Sequence, residues 1–226
     1  MTHKDTISKD AFNFLKELSY NNNKEWFEKH KPTFKAHEKN VKSFFENVKD
    51  NLSRHDEIEK LKMFRIYRDV RFSTDKTPYK THFAASFSRL GAHLRGGYYI
   101  HLAPGGSFLA TGFWSPNKED LFRIRKELEM DASEFRKVIG EPSFKKIWGD
   151  LAGDAVKTAP KGFDREHPDI DLIQKKQFIF VRNFSDKEVL SDSFLQEVDK
   201  SYHAIRPYFD LMSDILTTNL NGESLL

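Results

Sequence analysis

The stretch Phe64-Arg65-Ile66-Tyr67-Arg68-Asp69-Val70-Arg71-Phe72 is where the apolar period of this chain changes from helical to strand-like. Phe64, Ile66, Val70 and Phe72 alternate with Arg65, Tyr67, Asp69 and Arg71, which predicts a half-buried strand from Met63 to Phe72. Further strands are expected at Phe83 to Leu90, Tyr98 to Ala103, Ser107 to Trp114 and Phe178 to Phe184. Pro104-Gly105-Gly106 joins two of them as a hairpin. Successive strands with short turns argue for an antiparallel sheet.

Helical patterns flank this region. Ser8 to Tyr20 carries Ala11, Phe12, Leu15 and Leu18 at helical spacing, with Ser8 placed as the cap. The stripe Phe27, Phe34, Val41, Phe44, Val48 and Leu52 follows, and Pro32 predicts a short helix and then a long one starting near it. His30 and His37 lie on that stripe and are expected to pack at the core edge. Beyond the sheet, Pro116 to Met130 predicts a helix capped by Ser115, followed by Asp131 to Ile139 and Glu141 to Trp148, with a brief helix opened by Pro168. The expected organisation is a single α+β domain over residues 1–226, mainly an antiparallel sheet of about five strands packed against helices. Its parts are a helical 8–52, a sheet-forming 63–114, a helical 116–177, a last strand 178–184 and a closing helix 191–220 interrupted at Pro207.

Composition bounds the chemistry. With no Cys, there is no disulfide framework, thiolate metal site or thiol nucleophile. The start Met1-Thr2-His3-Lys4-Asp5 lacks the apolar run of a signal peptide, and no segment has the length of apolar sequence that spans a membrane. A soluble, cytoplasmic protein with no membrane partner is expected. Charge is concentrated: Lys60 to Ile100 holds nine Lys or Arg and two Asp or Glu, +7 against +3 for the whole chain, which leaves −4 for the rest. Such a concentration points to an anionic partner.

The candidate residues follow from strand parity. Arg65 and Arg71 share a face but lie about 20 Å apart along an extended strand, so they cannot clamp one phosphate. Arg71 is expected to group with Lys76 and Lys80 from the stiff turn before and after Pro78, with Tyr79 beside them. Arg68 interrupts an apolar face and needs a carboxylate, carbonyls or a ligand to meet it. His101 shares a face with Tyr99, and a register bringing it to Asp69 would supply an acid–base pair. Lys161 and His167, in the loop around Gly162 and Pro168, are candidates to cover the same face. The histidines show no metal-ligand spacing, the P-loop pattern is missing, and the motifs leave any cofactor open.

From Phe64 to Thr81 the run Phe-Arg-Ile-Tyr-Arg-Asp-Val-Arg-Phe-Ser-x-Asp-Lys-Thr-Pro-Tyr-Lys-Thr closely resembles the signature of the DUF2461 family of uncharacterised proteins. Gly97-Tyr98-Tyr99-Ile100-His101-Leu102, Gly112-Phe113-Trp114, Ala159-Pro160-Lys161-Gly162-Phe163 and His167-Pro168 fit the same pattern in the same order. The resemblance covers most of the chain and implies no catalytic residues.

The leading expectation is recognition of a phosphorylated or other anionic small ligand by Arg65, Arg68, Arg71, Lys76, Tyr79, Lys80, Lys161 and His167, with Asp69 and His101 as acid–base participants. Behind it stand a nucleic-acid-binding module without catalysis and a protein-interaction domain for an acidic partner. Whether the chain is an enzyme, and its oligomeric state, stay open at this level.

Overall fold

Capping starts the first helices. In the computed structural model, which describes residues 5–226, the Ser8 hydroxyl accepts the Ala11 amide at 3.2 Å and opens α1 (Lys9–Tyr20). The Asn23 side chain accepts the Trp26 amide at 2.9 Å and opens α2 (Lys24–Leu52). Each cap is worth about 1 kcal/mol. The expected break at Pro32 is corrected, because α2 runs through it. Pro32 is exposed, so the carbonyl that it leaves without an amide faces water and the loss is tolerated. The reading of Met1 to Lys4 as a start without a signal peptide lies outside the described residues.

The strands β1 (Ile58–Met63), β2 (Phe83–Arg89), β3 (Gly97–Leu102), β4 (Ser107–Phe113) and β5 (Phe178–Phe184) form a five-stranded antiparallel sheet in the order β1-β2-β3-β4-β5. Helices precede and follow it, and the fold is α+β. Between β4 and β5 come α3 (Lys118–Met130), α4 (Ser133–Gly140), α5 (Pro142–Trp148) and α6 (Ile170–Ile173). Asn117 caps α3, its side chain accepting the Asp120 amide at 2.8 Å, which moves the start two residues past the Ser115-Pro116 expected from sequence. After β5, α7 (Asp186–Val189) leads to α8 (Phe194–Ala204) and α9 (Arg206–Thr217), which part at Ile205, just before Pro207. Among the described residues no helix is long and apolar enough to cross a membrane.

The strand expected from Met63 to Phe72 is the main correction. The strand is β1, ending at Met63, and the chain from Phe64 onward is an irregular loop with a single antiparallel bridge, Tyr67 to Tyr79. Arg68 N donates to Pro78 O at 2.9 Å and Lys80 N donates to Ile66 O at 2.7 Å. The ladder stops there because side chains take its next partners. Asp75 Oδ1 accepts the Thr77 amide at 2.9 Å, and Asp69 Oδ1 accepts the Arg71 amide at 3.3 Å. Such local bonds compete directly with sheet pairing.

The described chain divides into two compact units. The first holds residues up to Phe87, Tyr99–Leu109 and Asn183–Lys200. Its core is a run of rings: Phe34 stacks on Phe83 at 5.9 Å, Phe44 on Phe194 at 5.7 Å and Phe27 on Tyr79 at 4.0 Å. The second holds Ser88–Tyr98, Ala110–Arg182 and Ser201–Leu226. There the fully buried Tyr208 donates to Phe178 O at 2.9 Å and meets Phe180 edge-on at 5.1 Å. Gly112 lies at φ +112°, and a Cβ there would sit 2.2 Å from Phe178 O, so only glycine allows β4 this close to β5.

Candidate functional site

The loop from Phe64 to His82 is held at both ends and from within. Asn22 brackets the Tyr79 backbone, donating from Nδ2 to its carbonyl at 2.9 Å and accepting its amide at 3.1 Å. The Tyr79 ring, 4% exposed, lies on Phe27. Burial raises its hydroxyl above the usual tyrosine range, helped by Tyr67 and Glu28 and opposed by Lys31. Arg68 donates to Asp75 and to the Thr77 hydroxyl. Its sequence-level demand for a partner is thus met by a half-exposed pair inside the loop. Asp75 is held at about 2, first by the Thr77 amide and then by Arg68 and the Thr77 hydroxyl.

Several of the expected ligand residues are therefore engaged with the loop itself. Arg71 forks onto Asp69 at 2.9 and 2.7 Å, and the same bonds lower the Asp69 carboxyl. Lys76 Nζ donates to Val70 O at 3.0 Å. The apolar residue at the tip is Phe72, 96% exposed, with the Arg71 guanidinium 5.9 Å from its ring centre. This arrangement gives the loop a fixed shape and leaves little charge free at the tip.

Free charge collects at the loop's root. A groove of about 620 Å³ between α2 and β1 is lined by Lys35, Glu38, Lys39 and Lys42 from the helix and by Lys60 to Arg65 from the strand and its continuation. Lys35 pairs with Glu38 at 2.6 Å. Lys39, Lys42, Lys60, Lys62 and Arg65 have no carboxylate partner among the described residues. Helical spacing brings Lys35, Lys39 and Lys42 to one face, and strand alternation brings Lys60 and Lys62 to another. The groove exists because those two faces meet.

Phe64 links this groove to a second cluster. Its ring has Lys62 Nζ at 5.4 Å and Lys80 Nζ at 5.5 Å from its centre, and meets Tyr99 at 6.0 Å. Tyr99 and His101 alternate on one face of β3, as their parity predicts, with the Tyr99 hydroxyl 3.2 Å from His101 Nδ1. His101 stacks on Phe108 at 4.7 Å and lies 4.0 Å from the ring of His82. Burial lowers both histidines; His82 falls to about 4, with His101 and Lys80 adding to the burial. Burial also lowers Lys80, with Arg65 as the second cause. The pair is thus neutral at pH 7, and such imidazoles donate or accept one hydrogen bond at each nitrogen.

The structure brings Arg65, Lys80 and His101 into this connected region, while Arg68, Arg71, Lys76 and Asp69 lie along the loop with the partners given above. Lys161 and His167 belong to the second unit. There His167 Nε2 lies 3.1 Å from Glu129 O and its Nδ1 accepts the Asp169 amide at 3.1 Å. His82, Phe108, Lys39, Lys42, Lys60 and Lys62 were not singled out by sequence reasoning. Strand parity would have paired His82 with Ala84 and Ser86, but only register brings it to His101. Among the described residues, no group of three or more His, Asp or Glu is arranged to hold a metal ion.

The fold defines an α+β protein with an antiparallel sheet bordered by a lysine-rich groove. A family model described as a conserved hypothetical protein (DUF2461) matches residues 10–211. The chain belongs to the DUF2461 family. Among curated proteins and among solved structures, no match to the chain was found.

Proposed function

We propose that this protein binds a phosphate-bearing anion in the groove between α2 and β1, with the ligand reaching past Phe64 toward Lys80 and the His82–His101 pair. The observation that carries this reading is the convergence of Lys39, Lys42, Lys60, Lys62 and Arg65 on one concavity where, among the described residues, the only lining acid, Glu38, is taken by Lys35. Unpaired like charges repel one another and are tolerated because water solvates them, so a phosphate ester entering the groove gains attraction and relieves repulsion together. Arg65 supplies a planar fork for phosphate oxygens, and the lysines supply mobile point charges.

The second cluster adds chemistry to this binding. Two imidazoles held neutral, one of them oriented by Tyr99, offer hydrogen-bond partners and a proton acceptor beside a bound anion. If Nδ1 of His101 carries its proton toward Tyr99, the Nε2 lone pair is the base. Asp69, tied to Arg71, is better suited to shaping the loop than to this role.

Thermal unfolding tests the reading, because a ligand that binds only the folded state raises the midpoint. Phosphate, pyrophosphate, polyphosphate and nucleotides are titrated at low and high salt against the protein and its Lys60→Gln/Lys62→Gln variant. A midpoint rise with at least one of these anions, reduced in the variant, is expected. Equal responses in both proteins, or no response to any of the anions, would overturn it.

A further inference from the structure

We infer that the anion is the backbone of a single-stranded nucleic acid, whose bases rest on the aromatic row Phe64, Tyr99, His101 and Phe108 while its phosphates lie along the lysine groove. This inference rests on the groove reading above and adds the class of ligand.

The groove carries more charge than a single phosphate needs. Lys39 and Lys42 lie one turn apart on α2, and Lys60 and Lys62 lie about 7 Å apart on β1, so each wall of the groove carries a line of cations. A line of separated cations matches a line of separated phosphates. Arg65 ends the line next to Phe64, and Lys62 and Lys80 both lie within 5.5 Å of that ring's centre. A cation-flanked ring at the end of a basic groove is suited to a base attached to the last neutralised phosphate.

The row then continues without a break. Phe64 meets Tyr99 at 6.0 Å, Tyr99 meets Phe108 at 5.8 Å, and His101 stacks on Phe108 at 4.7 Å. All four rings are half-buried, so each keeps part of its surface open to solvent. Tyr99 and His101 are on the strand face that does not carry Tyr98, Ile100 and Leu102 into the core. Packing of the core therefore does not explain this row. Base–aromatic stacking accepts any base, since every base has a π-face, and unpaired bases alone present that face freely. A duplex keeps its bases stacked on one another and would use only the lysines. His82 and His101, neutral together, add hydrogen-bonding edges without adding charge where the bases lie.

Fluorescence anisotropy with labelled short oligouridylate and oligothymidylate, an equivalent duplex and inorganic polyphosphate tests this. Phe108→Leu and Phe64→Leu remove the ring and keep an apolar side chain, and their folding is checked by thermal midpoint. The expected result is single-strand affinity lower by roughly 5- to 100-fold in each ring variant, with polyphosphate affinity unchanged. The two oligonucleotides serve to separate RNA from DNA. If ring variants leave oligonucleotide affinity unchanged while Lys60→Gln/Lys62→Gln lowers it, the groove reading survives and the stacking inference fails; if neither polyphosphate nor oligonucleotide binds, both fail. Photocrosslinking of an iodouridine-substituted oligonucleotide to the unaltered protein gives a second readout. A crosslink on the peptide carrying Tyr99, His101 and Phe108 or on that carrying Phe64 is expected, and crosslinks confined to other peptides would overturn the inference.

Discussion

His82 makes the candidate site measurable without a ligand. Burial beside His101 and Lys80 lowers it from 6.5 to about 4, so the folded state refuses a proton that the unfolded chain accepts. Stability is therefore fully present above about pH 6.5 and lost progressively as the pH falls toward about 4. The difference, 6.5 − 4, corresponds to about 3 kcal/mol at 1.36 kcal/mol per unit. His82 keeps contact with solvent, and screening reduces this to roughly half, about 1.5 kcal/mol. His101 is lowered in the same direction, so the two titrate as a coupled pair and the loss belongs to the pair. Urea unfolding of the protein and of His82→Gln, from about pH 7.5 to about pH 4, isolates the effect in their difference. The wild-type protein is expected to lose stability relative to the variant as the solution is acidified. A flat difference curve, or an NMR titration of His82 near the usual histidine value, would refute the geometry given to this cluster.

Oligonucleotide binding to the groove is expected to follow a salt slope of about −3.5, from five unpaired cations at about −0.7 each, falling to about −2 in Lys60→Gln/Lys62→Gln; unchanged slopes in a salt titration would remove those lysines from the interface. Asn22→Ala leaves the Tyr79 amide and carbonyl without their bracket and is expected to cost about 1–3 kcal/mol in urea unfolding, and no loss would mean that water replaces the bracket freely. Gly112→Ala forces a Cβ to within 2.2 Å of Phe178 O at a positive φ, and a loss of more than about 3 kcal/mol, or failure to fold, is expected; a variant with wild-type stability would show that β4 and β5 separate easily.

Legibility in the sequence tracks how locally each element is determined. β2, β3, β4 and β5 lie within a residue of where alternation and turn residues placed them, because core packing fixes one face of each. The Met63 to Phe72 strand failed although its alternation was as regular. Asp69 takes the Arg71 amide, Asp75 takes the amide and hydroxyl of Thr77, and periodicity does not register such capture. β1 was invisible for the opposite reason: Ile58-Glu59-Lys60-Leu61-Lys62-Met63 is a charged edge strand with little buried surface. The groove could not be read at all, since Lys39 and Lys42 are some twenty residues from Lys60 and Lys62 and only the packing of α2 on β1 joins them.

The charge excess between Lys60 and Ile100 does not mark a single cluster of cations. Arg89 and Arg95 belong to the second unit, where Arg95 pairs with Asp120 and Arg89 donates to Arg95 O, and the other seven cations fall into two groups. Arg68 and Arg71 are spent on Asp75 and Asp69, and Lys76 on a carbonyl, which gives a long irregular loop a single shape. Lys60, Lys62, Arg65 and Lys80 have no carboxylate partner among the described residues, and helix lysines that the local count excluded join the first three in the groove. The two groups work together. Lys80 is held half-buried against Arg65 repulsion because its neighbour Tyr79 is locked on Phe27 and bracketed by Asn22. A cation held in place before binding loses less freedom when an anion arrives than one on a mobile loop. On the proposed reading the signature run braces the site, and substitutions at Arg68 or Asp75 are expected to lower anion affinity through the position of Lys80 and not through lost contact with the anion.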